Sequence, residues 1–341
     1  MRLDGRDAAA VEQAAILLAA GELLAFPTET VYGLGARADD DAAVARIFAA
    51  KGRPANHPLI VHVADADDAL RFAAHLPPVA SRLMAAFWPG PLTVIVPRRP
   101  ENAFAAAGGQ ASVGLRSPAH PVAQALLAAA RRLGVAGIAG PSANRFGRVS
   151  PTRAAHVEQE FGAALAVLDG GPCAVGIESS IVDCTREHPV LLRPGVLTRA
   201  QIEAAADEPL HNADAAAPRA PGTLAAHYAP RARVQLMAAG SISAALRAWP
   251  HASAFQASQA LQSDAHAAAA LAVYSPAVPA HAGPGVRLRC MPDRPDDVAR
   301  ELFAVLREFD DEGVQLIWIE APPPGPEWDG VRDRLQRAAA S

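Results

Sequence analysis

The run Leu23-Leu-Ala-Phe-Pro-Thr-Glu-Thr-Val-Tyr-Gly-Leu-Gly35 joins a short apolar segment to a dense polar cluster, and this pattern recurs along the chain. Leu23 to Phe26 read as a short buried strand running into Pro27. Beyond it, residues two apart on an extended chain project to one side, so Thr28 and Thr30 would face together. Gly33 and Gly35 would let the backbone turn closely around a small ligand. Upstream, Asp7 can cap a helix with Val11, Ala14, Ala15 and Leu18 on one face, stopped by Gly21. Downstream, Asp39 to Asp41 start a second helix, with Val44, Ile47 and Phe48 at helical spacing.

The alternation continues. Leu59 to Val63 and Leu92 to Val96 are β-rich runs, each just after a proline. Val113 to Arg116 is a further strand, followed by a helix through Val122, Ala125, Leu126 and Ala129. Gly137 to Ala139, Leu165 to Leu168, Ser179 to Val182 and Val190 to Leu192 complete a strand-rich set. Helices do not separate these strands evenly, so an α/β fold on a mixed, twisted sheet is expected rather than a regular parallel one. Residues 1–206 read as one domain and residues 207–231, rich in Ala and Pro without periodicity, as a linker. In residues 232–341, Val234 to Met237, Ala272 to Tyr274 and Leu316 to Ile319 predict strands. Pro295 to Asp311 and Glu327 to Ala339 predict helices, which together suggest a smaller open α/β domain of parallel character.

Composition excludes several classes. The chain is 51% hydrophobic and 19% charged with a net charge of −4, which gives no electrostatic case for a nucleic-acid or membrane surface. The longest stretch without acidic or basic residues, Ala265 to Val286, contains Pro276, Pro279 and Pro284, so a membrane span is not expected. Asp4, Asp7 and Glu12 ahead of the first apolar run argue against a signal peptide. Cys173, Cys184 and Cys290 fit neither a disulfide framework nor a zinc site, which points to a reducing cytoplasm. Among 31 basic residues a single one, Lys51, is lysine. Where arginine has otherwise replaced lysine, the survivor marks a place that needs a compact ammonium.

The phosphate-loop, dinucleotide, zinc-protease and nucleophile-elbow signatures are all missing from the sequence. Four polar clusters stand in their place. Lys51-Gly-Arg-Pro-Ala-Asn-His57 follows the first, in Thr28 to Gly35. Pro54 biases Arg53 towards an extended conformation, so Lys51 and Arg53 can converge on one anion, a point charge beside a forked donor. His57 and His62 add donors nearby. In Gly140-Pro-Ser-Ala-Asn144 an extended chain would put Ser142 and Asn144 on one side, with Ser150 beyond. The last cluster is Gly176 to Asp183 with Leu192-Arg-Pro-Gly195, offering Ser179, Ser180 and Arg193. Arg116 sits at a strand end, where a buried cation needs an anion. A substrate carboxylate or an internal salt bridge would serve.

The succession F-P-T-E-T-V-Y-G-L-G, K-G-R-P-x-x-H-P-L, W-P-G-P-L-T, G-L-R-x-P-x-H-P, G-P-S-A-N-x-x-G-x-x-S-P-T, G-x-E-S-S-I-V-D and L-R-P-G resembles the YrdC-like family. With His227-Tyr-Ala-Pro230 and the tail, it is similar to the long, two-domain members, the threonylcarbamoyl-AMP synthases. The resemblance implies a YrdC-like twisted mixed sheet with flanking helices, followed by a Rossmann-like domain. It implies a nucleotidyltransferase making threonylcarbamoyl-AMP and pyrophosphate from L-threonine, bicarbonate (or CO2) and ATP with Mg2+. A partner transferase would then carry the group to adenosine 37 of tRNA. The signature quartet falls on Lys51, Arg53, Ser142 and Asn144. Threonine contacts fall on Thr30, His62, Arg116, Gly140 and Ser180. ATP contacts fall on Arg53, His57, Ser112, Ser142, Ser150, Arg193 and Tyr228. Two alternatives are an RNA-binding, translation-associated module and carbamoyl transfer as in hydrogenase maturation. Balanced charge, with 19 basic and 19 acidic residues in 1–205, speaks against the first. The acylphosphatase and zinc-finger segments of the second are missing from the sequence. Direct tRNA binding, metal ligands and oligomeric state stay open.

Overall fold

The structure, a computed structural model, describes residues 1–249, 271–278 and 285–340. Residues 265–270 and 279–284 of the charge-free stretch lie outside the described residues. Contacts divide the chain into two compact units. The first holds Met1–Phe146 and Ser150–Leu224, the second Gly147–Val149 and the chain from Ala225 onward.

In the first unit the strands are β1 (Arg2–Asp4), β2 (Leu24–Phe26), β3 (Gly33–Arg37), β4 (Ile60–His62), β5 (Leu92–Pro97) and β6 (Ser112–Arg116). They continue with β7 (Ile138–Ala139), β8 (Ala166–Asp169), β9 (Ser180–Asp183), β10 (Val190–Arg193) and β11 (His211–Asn212). They form an 11-stranded sheet in the order β1-β8-β2-β3-β7-β4-β6-β5-β9-β10-β11. Pairing is mixed: β1–β8, β4–β6 and β5–β9 run parallel, while β2–β3, β4–β7 and β5–β6 run antiparallel. The helices are α1 (Ala8–Ala19), α2 (Asp41–Lys51), α3 (Ala66–Ala69), α4 (Pro78–Phe87), α5 (Pro121–Arg132), α6 (Ala154–Phe161) and α7 (Arg199–Ala206).

Local chemistry explains the best-defined of these. The Asp7 carboxylate accepts the Ala9 N–H at 2.9 Å at the start of α1. Asp40 does the same for Ala42 and Ala43 at α2, which Gly52 ends in the left-handed region at φ +64°. Alternation then sorts side chains between two faces. Leu24 and Phe26 join a core with α1 and α5 residues such as Val11, Leu18, Leu126 and Leu127, whereas Ala25 joins Val44, Ile47 and Leu83 on α2 and α4. A smaller cluster of Ile60, Ile95, Ile181, Val190, Leu192 and Ala220 lies on the opposite face from Val61, Val94 and Val182.

Several expectations are corrected. Gly33 and Gly35 do not turn the chain; they lie within β3. A Cβ on either would come within about 3 Å of the Phe26 ring or of Ile138, so close packing is what excludes a side chain there. The stretch read as a linker contains β11, which adds to the sheet edge beside β10. Helices α3, α4, α6 and α7 and the edge strand β1 were not foreseen.

In the second unit β12 (Arg233–Met237), β13 (Leu271–Ser275), β14 (Val286–Cys290) and β15 (Leu316–Glu320) form a wholly parallel sheet in the order β12-β15-β13-β14. It is accompanied by α8 (Ile242–Ala248), α9 (Pro295–Asp311) and α10 (Asp329–Ala339). This bears out the parallel character; β14 and α8 are additions to it. No helix among the described residues is long and apolar enough to cross a membrane. Cys173, Cys184 and Cys290 are free thiols.

Candidate active site

The polar stretch after β2 is a turn. Thr28 Oγ1 accepts the N–H groups of Thr30 and Val31, both at 3.2 Å, and the two hydroxyls meet at 2.9 Å. Thr28 and Thr30 therefore do converge, through a side-chain-nucleated turn and not through strand alternation. The turn aims Thr30 at Arg116, whose Nη1 donates to Thr30 Oγ1 at 2.8 Å and whose Nε donates to the Gly90 carbonyl at 3.2 Å.

Arg116 closes β6 and pairs in register with His62, at the end of β4. His62 packs edge-on against Phe26, and a Cβ on Gly140 would stand 3.1 Å from its Nδ1. Burial, reinforced by the Arg116 charge, pushes the His62 imidazole down to about 3, so it is neutral at physiological pH. Ser180 starts β9 with its N–H donating to the Pro91 carbonyl at 3.0 Å, one residue from Gly90. The residues assigned to threonine, namely Thr30, His62, Arg116, Gly140 and Ser180, thus form one contiguous group.

The anion that Arg116 requires is Glu29, at 2.6 Å from Nη2, with side-chain exposures of 4% and 10% for the pair. Of the two options the sequence left, the protein contains the internal salt bridge. Beyond this ion pair, Glu29 Oε2, His62 Nδ1 and Ser180 Oγ are buried without a hydrogen-bond partner among the described residues. Buried polar groups are ordinarily satisfied, and such a concentration marks a place built for something other than stability.

A second group adjoins. Lys51 is the last residue of α2 and is buried, and its Nζ donates to the Ser142 carbonyl at 2.6 Å and to the Asn144 carbonyl. Burial and then the Arg53 charge hold the Lys51 ammonium well below its usual range. Arg53 lies beyond the left-handed Gly52, and its Nη2 donates to the Pro58 carbonyl at 2.9 Å. The expected extended convergence of Lys51 and Arg53 is therefore replaced by a helix end and a reversal, although the two charges still sense each other. Likewise Ser142 and Asn144 meet Lys51 through their backbone carbonyls, while the Asn144 amide donates to Arg145 O at 2.7 Å.

Arg53 also lies 5.6 Å from the Phe146 ring, which His57 meets edge-on. Burial first, and the Arg53 and Arg219 charges next, lower the His57 imidazole. A small cavity includes Pro58, Thr93, Ser112, Arg219 and Pro221 in its lining. Through Pro58 it adjoins Arg53, and through Pro221, whose carbonyl accepts Arg193 Nη1 at 2.9 Å, it adjoins Arg193. Arg193 also donates to the Ser179 carbonyl at 3.0 and 2.9 Å. Ser150 is buried and hydrogen-bonded to Glu178. Tyr228 belongs to the second unit, buried at φ +63° and stacked on Phe303 with ring centres 5.4 Å apart.

Glu29 and Arg219 were not singled out in the sequence. Glu29 sits one position out of step with Thr28 and Thr30, so alternation would turn it away; only the turn brings it inward. Arg219 lay in the stretch read as a linker.

A family model described as "Telomere recombination", for Sua5, YciO and YrdC, matches residues 16–195. A model described as "Threonylcarbamoyl-AMP synthase, C-terminal domain" matches residues 197–340. A Bacillus subtilis protein named threonylcarbamoyl-AMP synthase is 44% identical over 229 residues, covering 65% of this chain and 65% of the relative. A Schizosaccharomyces pombe protein of the same name is 33% identical, covering 93% of this chain and 85% of the relative. The solved structure of P. abyssi Sua5 complexed with L-threonine superposes with a TM-score of 0.85 at 34% identity, covering 99% of this chain and 97% of that one.

Proposed function

The chain belongs to the Sua5/YciO/YrdC family, with the C-terminal domain of its two-domain members, and we propose that it is an L-threonylcarbamoyladenylate synthase. In this reading threonine and bicarbonate (or CO2) give an N-carboxylated amino acid. Its new carboxylate oxygen attacks the α-phosphorus of ATP, forming threonylcarbamoyl-AMP as pyrophosphate leaves. A separate transferase then moves the threonylcarbamoyl group to adenosine 37 of tRNA, in the cytoplasm.

The observation that carries the reading is the buried Arg116–Glu29 ion pair beside Thr30, with His62 Nδ1 and Ser180 Oγ in the same group lacking hydrogen-bond partners. A cation, a neutral imidazole and hydroxyls at one spot suit a small polar substrate whose carboxylate meets Arg116. The bound threonine of the P. abyssi relative supports this. Lys51 and Arg53 suit the triphosphate. Burying two cations side by side is costly, and an arriving polyanion offsets that cost. The ammonium, held by two carbonyls, keeps a third N–H for a phosphate oxygen. His57, Ser112, Ser142, Ser150, Arg193 and Tyr228 complete the proposed ATP contacts. Mg2+ comes with ATP as part of the substrate, neutralising phosphate charge. With no nucleophile assigned, rate enhancement comes from positioning and from stabilising phosphate charge.

The test is pyrophosphate release by the full chain. It should require ATP, threonine and bicarbonate together; release that persists without threonine would refute the assignment.

A further inference from the structure

We propose that Glu29 receives the α-ammonium of the amino-acid substrate, so that the Glu29–Arg116 pair reads the substrate's zwitterion as a unit. The inference rests on the proposed function for the seat of the carboxylate on Arg116 and adds the residue that recognises the amine.

Three observations converge. First, the direction of Glu29 is set by its backbone: the Thr28 hydroxyl nucleates the turn around it, and the Glu29 carbonyl accepts the Val175 N–H at 2.7 Å. A carboxylate held inward in this way is a built feature. Secondly, Glu29 and Arg116 are 2.6 Å apart and buried, yet neither Glu29 oxygen accepts a well-aligned hydrogen bond from any described residue. A buried ion pair with unmet hydrogen-bonding capacity is a poor device for stability, since desolvation offsets its Coulomb gain. It is a good receptor for two more charges. Thirdly, an α-amino acid carries its ammonium and carboxylate on one carbon, close enough to address both members of such a pair together. The ammonium brings three donors to the acceptor oxygens, and the carboxylate brings acceptors to Arg116 Nη2.

The surroundings agree. Thr30 Oγ1 accepts from Arg116 Nη1 at 2.8 Å and adds an oxygen beside the guanidinium. The nearby groups add no competing cation: His62 is neutral, and burial lowers the His120 imidazole even though the Glu29 charge opposes this. Burial first, then the Glu29 charge, raises the Cys173 thiol, so it stays protonated.

The experiment compares two ligands by calorimetry on the full chain: threonine, and 2,3-dihydroxybutanoate, in which a hydroxyl replaces the amine. The wild-type chain should prefer threonine. Glu29→Gln should weaken threonine about tenfold to a hundredfold, the range for a lost charged hydrogen bond. It should leave the dihydroxy acid unchanged or bind it more tightly, because Arg116 then meets a carboxylate without competition. Glu29→Asp, which keeps the charge, should retain part of the preference. A parallel loss for both ligands in Glu29→Gln would make Glu29 a structural partner of Arg116 and overturn the proposal. So would equal affinity of the wild-type chain for the two ligands, a result that needs no variant to fold. Either outcome with threonine-dependent pyrophosphate release intact sinks Glu29's role alone; wild-type chain that neither binds threonine nor releases pyrophosphate in its presence sinks the function as well.

Discussion

Lys51 ends α2, where the partial negative charge of the helix C-terminus and two carbonyls from the Ser142–Asn144 loop surround one ammonium. A guanidinium is wider, planar and cannot place a point charge among these oxygens. Lys51→Arg should therefore lower turnover by about a hundredfold or more, the scale of losing one preorganised charge contact. Far-UV circular dichroism should stay unchanged; near-wild-type turnover in this variant would remove the specific role of the lysine. The sequence singles Lys51 out by its rarity, by its pairing with Arg53 and by the signature quartet, but it does not give its geometry. Pro54 suggested an extended Lys51–Arg53 pair, whereas Gly52 in the left-handed region reverses the chain between them. Glu29 was illegible for a related reason. The Thr28 turn, not strand periodicity, decides where its side chain points.

Among the elements, α1, α2 and α5 were readable because polar caps and apolar spacing agree: Asp7, Asp40 and His120 each accept N–H groups at their starts. Helix α4 begins at Pro78 with no side-chain cap, and α3 spans four residues, so neither signals itself strongly. Helix α7 does carry a complete Thr198–Gln201 capping box, a local signal of where it starts. Edge strand β1 exists through a partner far away in sequence, β8, and the two-residue β11 through β10 across the turn and helix α7, pairings that no local pattern reveals. Strand β3 yields a prediction of its own. Its Gly35 packs where a Cβ would stand 2.8 Å from Ile138 Cγ2 and 3.0 Å from Phe26 Cε1. Gly35→Ala should destabilise the protein by about 1–3 kcal/mol through overpacking, seen as a lower urea midpoint. Because Phe26 also touches His62 and borders Gly140, threonine affinity should fall with it. A midpoint at the wild-type value would mean the strand has room to spare.

At the scale of the whole molecule, most of the sequence motifs lie within the first unit, with Gly147 and His227 to Pro230 in the second; the rest of the tail was legible only as a parallel α/β pattern, which its four-stranded sheet bears out. The mixed order of the large sheet could not be read, because strands neighbouring in space come from distant parts of the chain. The buried position of Lys51 has a consequence for experiments on the intact protein. A lysine-specific endoprotease has one scissile bond in all 341 residues, Lys51–Gly52; Gly52 is exposed, but the Lys51 side chain that such a protease must grip is buried and is released only by opening. Cutting there counts the openings, local or global, that free Lys51 from its place at the end of α2. Ligands that bind at the proposed catalytic centre should slow the cut, by about a hundredfold at concentrations near a hundred times their dissociation constants. The chain thus carries a natural single-site footprint, in which the appearance of one pair of fragments clocks how often Lys51 is released, with no label added.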